Sequence, residues 1–190
     1  MRRLTLALGV AVAGTGCLSA QQAELHCNFS GPPESLAKRA SPLDSVTIRI
    51  GDGEAKLCYG RPSTRGRVMV GGTDPFGQPW RMGANEPTTL HLGFAATVGG
   101  IALEPAAYSI YAIPTEKEWT IVINGNTERW GIPIDEKVRA ADVGEFKVTP
   151  TPLDEPVEQL TFSFQRTGSQ GGDLVYAWEK RTFRIPIRRR

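Results

Sequence analysis

The sequence predicts an all-β fold, an antiparallel β-sandwich of roughly 9–11 short strands. Two observations carry this. Apolar residues alternate with polar ones at period two through most of the chain, and turn signals recur roughly every 8–12 residues. A third observation sets the layout: one long Gly/Pro-rich stretch, Tyr59 to Thr89, interrupts the strands. With one apolar face per strand, two sheets packed face to face follow.

Taken in order, residues 1–20 stand apart from that domain. Arg2 and Arg3 precede an apolar, charge-free run from Leu4 to Ala13, then small residues up to Ala20. This is the layout of a secretory signal, too short to span a membrane as a helix. Small residues before Cys17 resemble a lipobox, with Gly14 where leucine is usual, so a lipidated Cys17 is one expectation. Cleavage after Ala20 and release as a soluble periplasmic protein is the other. Either way the protein is expected to be exported, as a periplasmic or membrane-anchored lipoprotein.

Residues 21–43 contain Gly31-Pro32-Pro33 and Ser41-Pro42 and one helical turn around Glu34 to Ala40, and are expected to form a tether. The β domain is expected over 44–187. Val46, Ile48 and Ile50 alternate first, followed by Leu57 and Tyr59. Leu90, Leu92 and Phe94 resume after the long stretch, and Val98-Gly99-Gly100-Ile101 is a two-residue hairpin signal. Tyr108, Ile110 and Ala112 precede Trp119, Ile121 and Ile123, which run up to a turn at Asn124-Gly125-Asn126. Asp135 to Val143 suggests a short helix. Phe146 and Val148 end at a break marked by Pro150, Pro152 and Pro156. Leu160, Phe162 and Phe164, then Leu174, Tyr176 and Trp178, then Phe183, Ile185 and Ile187 read as three further strands. Arg188 to Arg190 read as a basic tail.

Charge excludes one class. The chain has 22 Lys+Arg and 20 Asp+Glu. Arg2 and Arg3 are the only charges in residues 1–20, so the exported part is formally neutral. A nucleic-acid binder needs a net basic face, and that partner is rejected. Cys27 and Cys58 are the two thiols remaining in an oxidising compartment, where such a pair most often bridges.

Several strings are recognisable together: Tyr59-Gly-Arg-Pro62, Arg65-Gly-Arg67, Pro75-Phe-Gly77, Trp80-Arg-Met-Gly-Ala-Asn-Glu86, Trp130-Gly131 and Leu160-Thr-Phe-Ser-Phe164. With them the chain resembles, from about Ser41 to Ile187, the bacterial family called domain of unknown function 2911. The resemblance implies an envelope-exported domain and brings no reaction with it.

The chemistry that the residues allow is narrow. No G-x-S-x-G elbow, Walker loop, H-E-x-x-H or Cys-x-x-Cys occurs, so no catalytic residue, cofactor or metal site is assigned. His91 alternates with Leu90 and Leu92 and is expected to face away from the core. The candidate ligand-binding residues are Arg61, Arg65, Arg67, Trp80, Arg81, Asn85 and Glu86. Guanidinium forks suit carboxylate or phosphate, and a tryptophan face suits a sugar. The expected function is a non-catalytic binding or accessory module for a small anionic or saccharide ligand or an envelope protein. A hydrolase centred on Arg81, Asn85 and Glu86 is the alternative, and a purely structural envelope domain a third. The same residues would also serve a structural loop, bonding its own carbonyls and amides.

Overall fold

The computed structural model describes residues 25–190. The signal segment and Cys17 lie outside the described residues. A short helix α1 (Pro33–Ala37) precedes β1 (Leu43–Ile50) and β2 (Gly53–Gly60). After the long connection come β3 (Thr88–Leu92), β4 (Ala96–Val98), β5 (Ile101–Leu103), β6 (Ala107–Pro114) and β7 (Trp119–Asn124). Helix α2 (Glu136–Arg139), β8 (Asp142–Val148), β9 (Thr151–Gly168) and β10 (Gly171–Arg189) complete the chain.

All strand pairs are antiparallel, in a six-stranded sheet β1-β2-β3-β6-β7-β8 and a four-stranded sheet β5-β4-β10-β9. Their inner faces close on one core, with Ile48, Leu57, Leu90, Ile110 and Ile121 from the first sheet and Leu160, Tyr176, Trp178 and Ile185 from the second. The expected hairpin is present: Val98 pairs with Ile101, and Gly99 and Gly100 take φ of 58° and 89°. Positive φ at both central positions is what a two-residue hairpin requires.

Three boundary expectations change. The runs at Leu174–Trp178 and Phe183–Ile187 are one strand, β10. From Gly172 its buried positions are even-numbered up to Trp178 and odd-numbered from Phe183. Register shifts lie on either side of Glu179, itself at φ 53°, and across this irregularity both halves keep a face on the core. Pro152 and Pro156 lie inside β9 rather than breaking it. β9 is the edge of its sheet, where a missing N–H costs no ladder bond. Arg188 and Arg189 are not a tail, because they pair with Thr97 and Ala96.

The segment expected as a tether is tied down along 25–42. Cys27 and Cys58 form a disulfide with Cα atoms 5.6 Å apart, and Arg39 reaches Glu86 at 2.6 Å.

The long connection 61–87 follows the sandwich closely. Arg61–Thr64 runs along the open edge of β9, with Ser63 paired to Gln159 and the Leu160 amide donating to the Pro62 carbonyl at 2.9 Å. The path covers backbone groups that an edge strand would otherwise expose. At the irregularity in β10, the Glu179 carboxylate accepts from the Met69 and Val70 amides at 2.9 and 3.1 Å. Trp80 then exchanges two backbone bonds with Ala112, at 2.7 and 2.8 Å, and drops its indole into the core. There it stacks on Trp178 (5.7 Å, 14°) and meets Trp119 edge-on at 5.9 Å. The connection closes on itself at Gly60, where a Cβ would stand 2.1 Å from the Ala84 carbonyl oxygen. Only glycine allows that approach.

Candidate functional site

The seven residues singled out in the central stretch do not converge. Arg61 donates from Nε to the Leu160 carbonyl and from Nη2 to Thr161, both at 2.9 Å, and pairs with Asp44 at 3.4 Å. Arg65 donates to the Ala40 carbonyl, and Arg67 to the carbonyls of Thr64 and Ser63. Trp80 is a core residue, 4% exposed, so it offers no stacking platform. Arg81 bonds the carbonyls of Gly83 and Asn85 at 3.3 Å each, and Asn85, at φ 66°, donates to the Ser41 carbonyl. Most of the side-chain polar groups therefore hold the path of the chain.

Glu86 takes a partner that sequence proximity does not indicate. It pairs with Arg39, through Nη1 at 2.6 Å and Nη2 at 2.8 Å, rather than with Arg81, and also accepts from the Ser30 amide at 2.9 Å. Burial alone would raise its pKa, but the Arg39 and Ser30 hydrogen bonds outweigh burial and hold it below the ordinary carboxylate value. A general acid needs the opposite shift. Arg81, Asn85 and Glu86 thus lack the arrangement that a hydrolytic centre would require.

A different cleft is better formed. It lies on the outer face of the six-stranded sheet and encloses about 570 Å³, within the range of small-ligand sites. One wall is Asn28–Ser30, and the other is Thr127–Trp130 from the β7–β8 connection. Thr89 and His91 project from β3 into it, and Glu86 borders it.

Local chemistry explains both walls. The first is strapped between the Cys27–Cys58 disulfide and the Glu86–Arg39–Ser30 cluster. The second is anchored on the sheet by buried polar groups. The Asn124 amide donates to the Val138 carbonyl at 2.7 Å and to Asp142 at 2.8 Å, and Ser109 donates to the Asn126 carbonyl at 2.9 Å. Asp135 caps α2 by accepting from the Val138 amide. Asn124-Gly125-Asn126 is therefore the start of a long anchored connection, not the closed turn that the sequence suggests. At Gly131 the connection touches the central stretch: its amide donates to the Asn85 carbonyl at 2.9 Å, and a Cβ would stand 2.4 Å from that oxygen.

The electrostatics centre on Arg129. Its Nη1 donates to the Trp130 and Gly131 carbonyls at 3.0 Å, while Nε and Nη2 are buried with no partner among the described residues. Burial pushes its pKa down, opposed by the nearby Tyr111 and Asp135. Trp130 beside it is about half exposed, at 49%. His91 shares a 3.1 Å hydrogen bond with Thr89. Burial, with the Lys56 charge adding to it, lowers its pKa and favours the neutral ring. The cleft therefore combines a cation without an ion pair among the described residues, a neutral imidazole, a hydroxyl and an aromatic face. Among the described residues no group of three His, Cys, Asp or Glu gathers as a metal site.

Of the seven residues, Glu86 alone borders this cleft, whereas Arg67, Trp80 and Arg81 line a smaller one beside Asp74. Sequence reasoning missed Arg129 and Trp130. The available signal was an adjacent cation and aromatic in a segment with no strand periodicity, and it is weak next to four arginines in one stretch.

Comparison with curated proteins finds no match, and neither does comparison with solved structures. The model of the family described as "Protein of unknown function (DUF2911)" matches residues 41–187. That span holds β1 to β9, β10 up to Ile187, both long connections and the 127–130 wall of the cleft, and the chain is a member of that family.

Proposed function

We propose that this protein is an exported, non-catalytic binding module for a small anionic ligand, a carboxylate-bearing saccharide or a comparable acid, held in the cleft beside Arg129. One observation carries this: a half-buried guanidinium borders a cleft of small-ligand size with two nitrogens lacking any partner among the described residues. A partly desolvated cation with no counter-charge among the described residues is costly, and a negative charge in the adjoining cleft lowers that cost through space. Trp130 supplies an apolar face on which a sugar ring can lie. Export is supported by the charge and hydropathy layout of residues 1–20, and the Cys27–Cys58 disulfide suits an oxidising compartment. On this view the protein is a periplasmic or membrane-anchored lipoprotein.

The test is calorimetric titration of the mature protein with D-glucuronate, D-galacturonate and inorganic phosphate, with D-glucose as the neutral control. At least one anion is expected to bind saturably and stabilise the fold by about 2.7 kcal/mol at a hundredfold excess over Kd. Arg129→Met should remove that binding, and glucose should give none. The proposal is lost if no anion binds, or if Arg129→Met binds as well as the parent.

A further inference from the structure

The segment Trp130–Ile132 borders two clefts: Trp130 lines the one just described, and Ile132 lines a second of about 280 Å³. In the second, Asp74, Arg67 and Arg81 share a space without meeting. Arg81 uses Nε and Nη1 on the carbonyls of Gly83 and Asn85, and Arg67 uses Nε and Nη2 on those of Thr64 and Ser63. The Asp74 backbone is fully engaged, with its amide donating to the Met69 carbonyl and its own carbonyl accepting from Gly71, both at 2.8 Å. Its carboxylate accepts no hydrogen bond among the described residues. Burial raises its pKa, with the Glu179 charge adding to it, while Arg81 and Arg67 oppose this only through space. Burial likewise lowers the pKa of Arg81. Both signs of charge are thus partly desolvated on the walls of one cleft. Met69, Ile132 and Trp178 give the lining an apolar part, beside the hydroxyl residues Ser41 and Thr73.

A simple anion would meet the arginines but also the Asp74 carboxylate. A simple cation would meet the reverse. A ligand carrying both charges a few ångströms apart satisfies each wall. We propose that this cleft is a second binding site, for a small zwitterion of the α-amino-acid class with an apolar side chain. Its ammonium group donates to Asp74, its carboxylate accepts from Arg81 and Arg67, and its side chain packs on Met69 and Ile132. The site uses none of the groups assigned to the anion cleft, so it stands or falls separately.

Calorimetric titration with L-leucine, N-acetyl-L-leucine and L-leucine methyl ester tests it on the unaltered mature protein. L-Leucine is expected to bind saturably. Each blocked form removes one charge and should bind at least about tenfold more weakly, because one charged hydrogen bond is lost. Asp74→Asn keeps the side-chain shape and should weaken leucine binding by about tenfold or more. Failure of leucine to saturate overturns the inference. So does equal binding of N-acetyl-L-leucine, which would mark an anion site, or an unaltered affinity in Asp74→Asn. The comparison of blocked and free ligands needs no variant, so it decides the matter even if Asp74→Asn misfolds.

Discussion

The two long connections of this molecule, 61–87 and 125–141, differ most in how their polar side chains are employed. The first carries four arginines. Every one of them donates to a carbonyl, and the aromatic residue at its centre is buried in the core. The second carries fewer signals, yet it leaves Arg129 with two nitrogens unpartnered among the described residues and Trp130 half exposed. A connection that must cross the open side of a sandwich has many backbone groups to satisfy, and arginine, with its five donors, is an efficient way to do so. Charge density in such a segment measures structural demand as much as binding capacity. A single cation lacking its partner is the more informative feature.

Substitutions along the two connections should separate these roles. The largest effect is expected at Trp80→Ala, which empties the aromatic cluster shared with Trp178, Trp119 and Tyr176. The cost should be about 3–5 kcal/mol, read as a fall in the urea midpoint at unchanged slope. A loss below about 1 kcal/mol would mean that the connection is not part of the core.

Glu86→Gln comes next, at about 1–3 kcal/mol, because it leaves Arg39 without its carboxylate. The effect should depend on pH with a defined sign. The folded-state pKa of Glu86 is depressed, so its contribution is fully present above the unfolded value of about 4.3 and is lost as pH falls through the folded value. Stability of the parent and of Glu86→Gln, measured by urea unfolding from neutral to acid pH, should therefore converge at the acid end. Parallel curves would show that the ion pair contributes nothing.

The smallest effect on stability is expected at Arg129→Met, within about 0.5 kcal/mol of the parent or slightly stabilising, since it removes a desolvated charge with no ion-pair partner among the described residues. If it costs as much as Glu86→Gln, then Arg129 is structural and the contrast between the two connections disappears.

Sequence by itself determined the class of fold. Period-two runs such as Val46–Ile50 and Leu160–Phe164 commit one face to burial whatever their neighbours are, and Gly99-Gly100 forces a hairpin through its own dihedrals. Even the irregularity at Glu179 left a trace, in the change of apolar parity between Trp178 and Phe183. The Cys27–Cys58 pair was reachable from cysteine count and compartment. Only the tertiary structure decided which charges are satisfied. Arg39 finds Glu86 across 47 positions of sequence, and Glu158 accepts from the Arg65 amide across 93. Local strings carry no information about partners at such separations. The candidate clefts share that property: Asn28, His91 and Arg129 meet only because a disulfide, a strand and an anchored connection converge on one sheet face. Burial and hydrogen-bond satisfaction are properties of the assembled surface, and an unpartnered group can be recognised only after every partner has been placed.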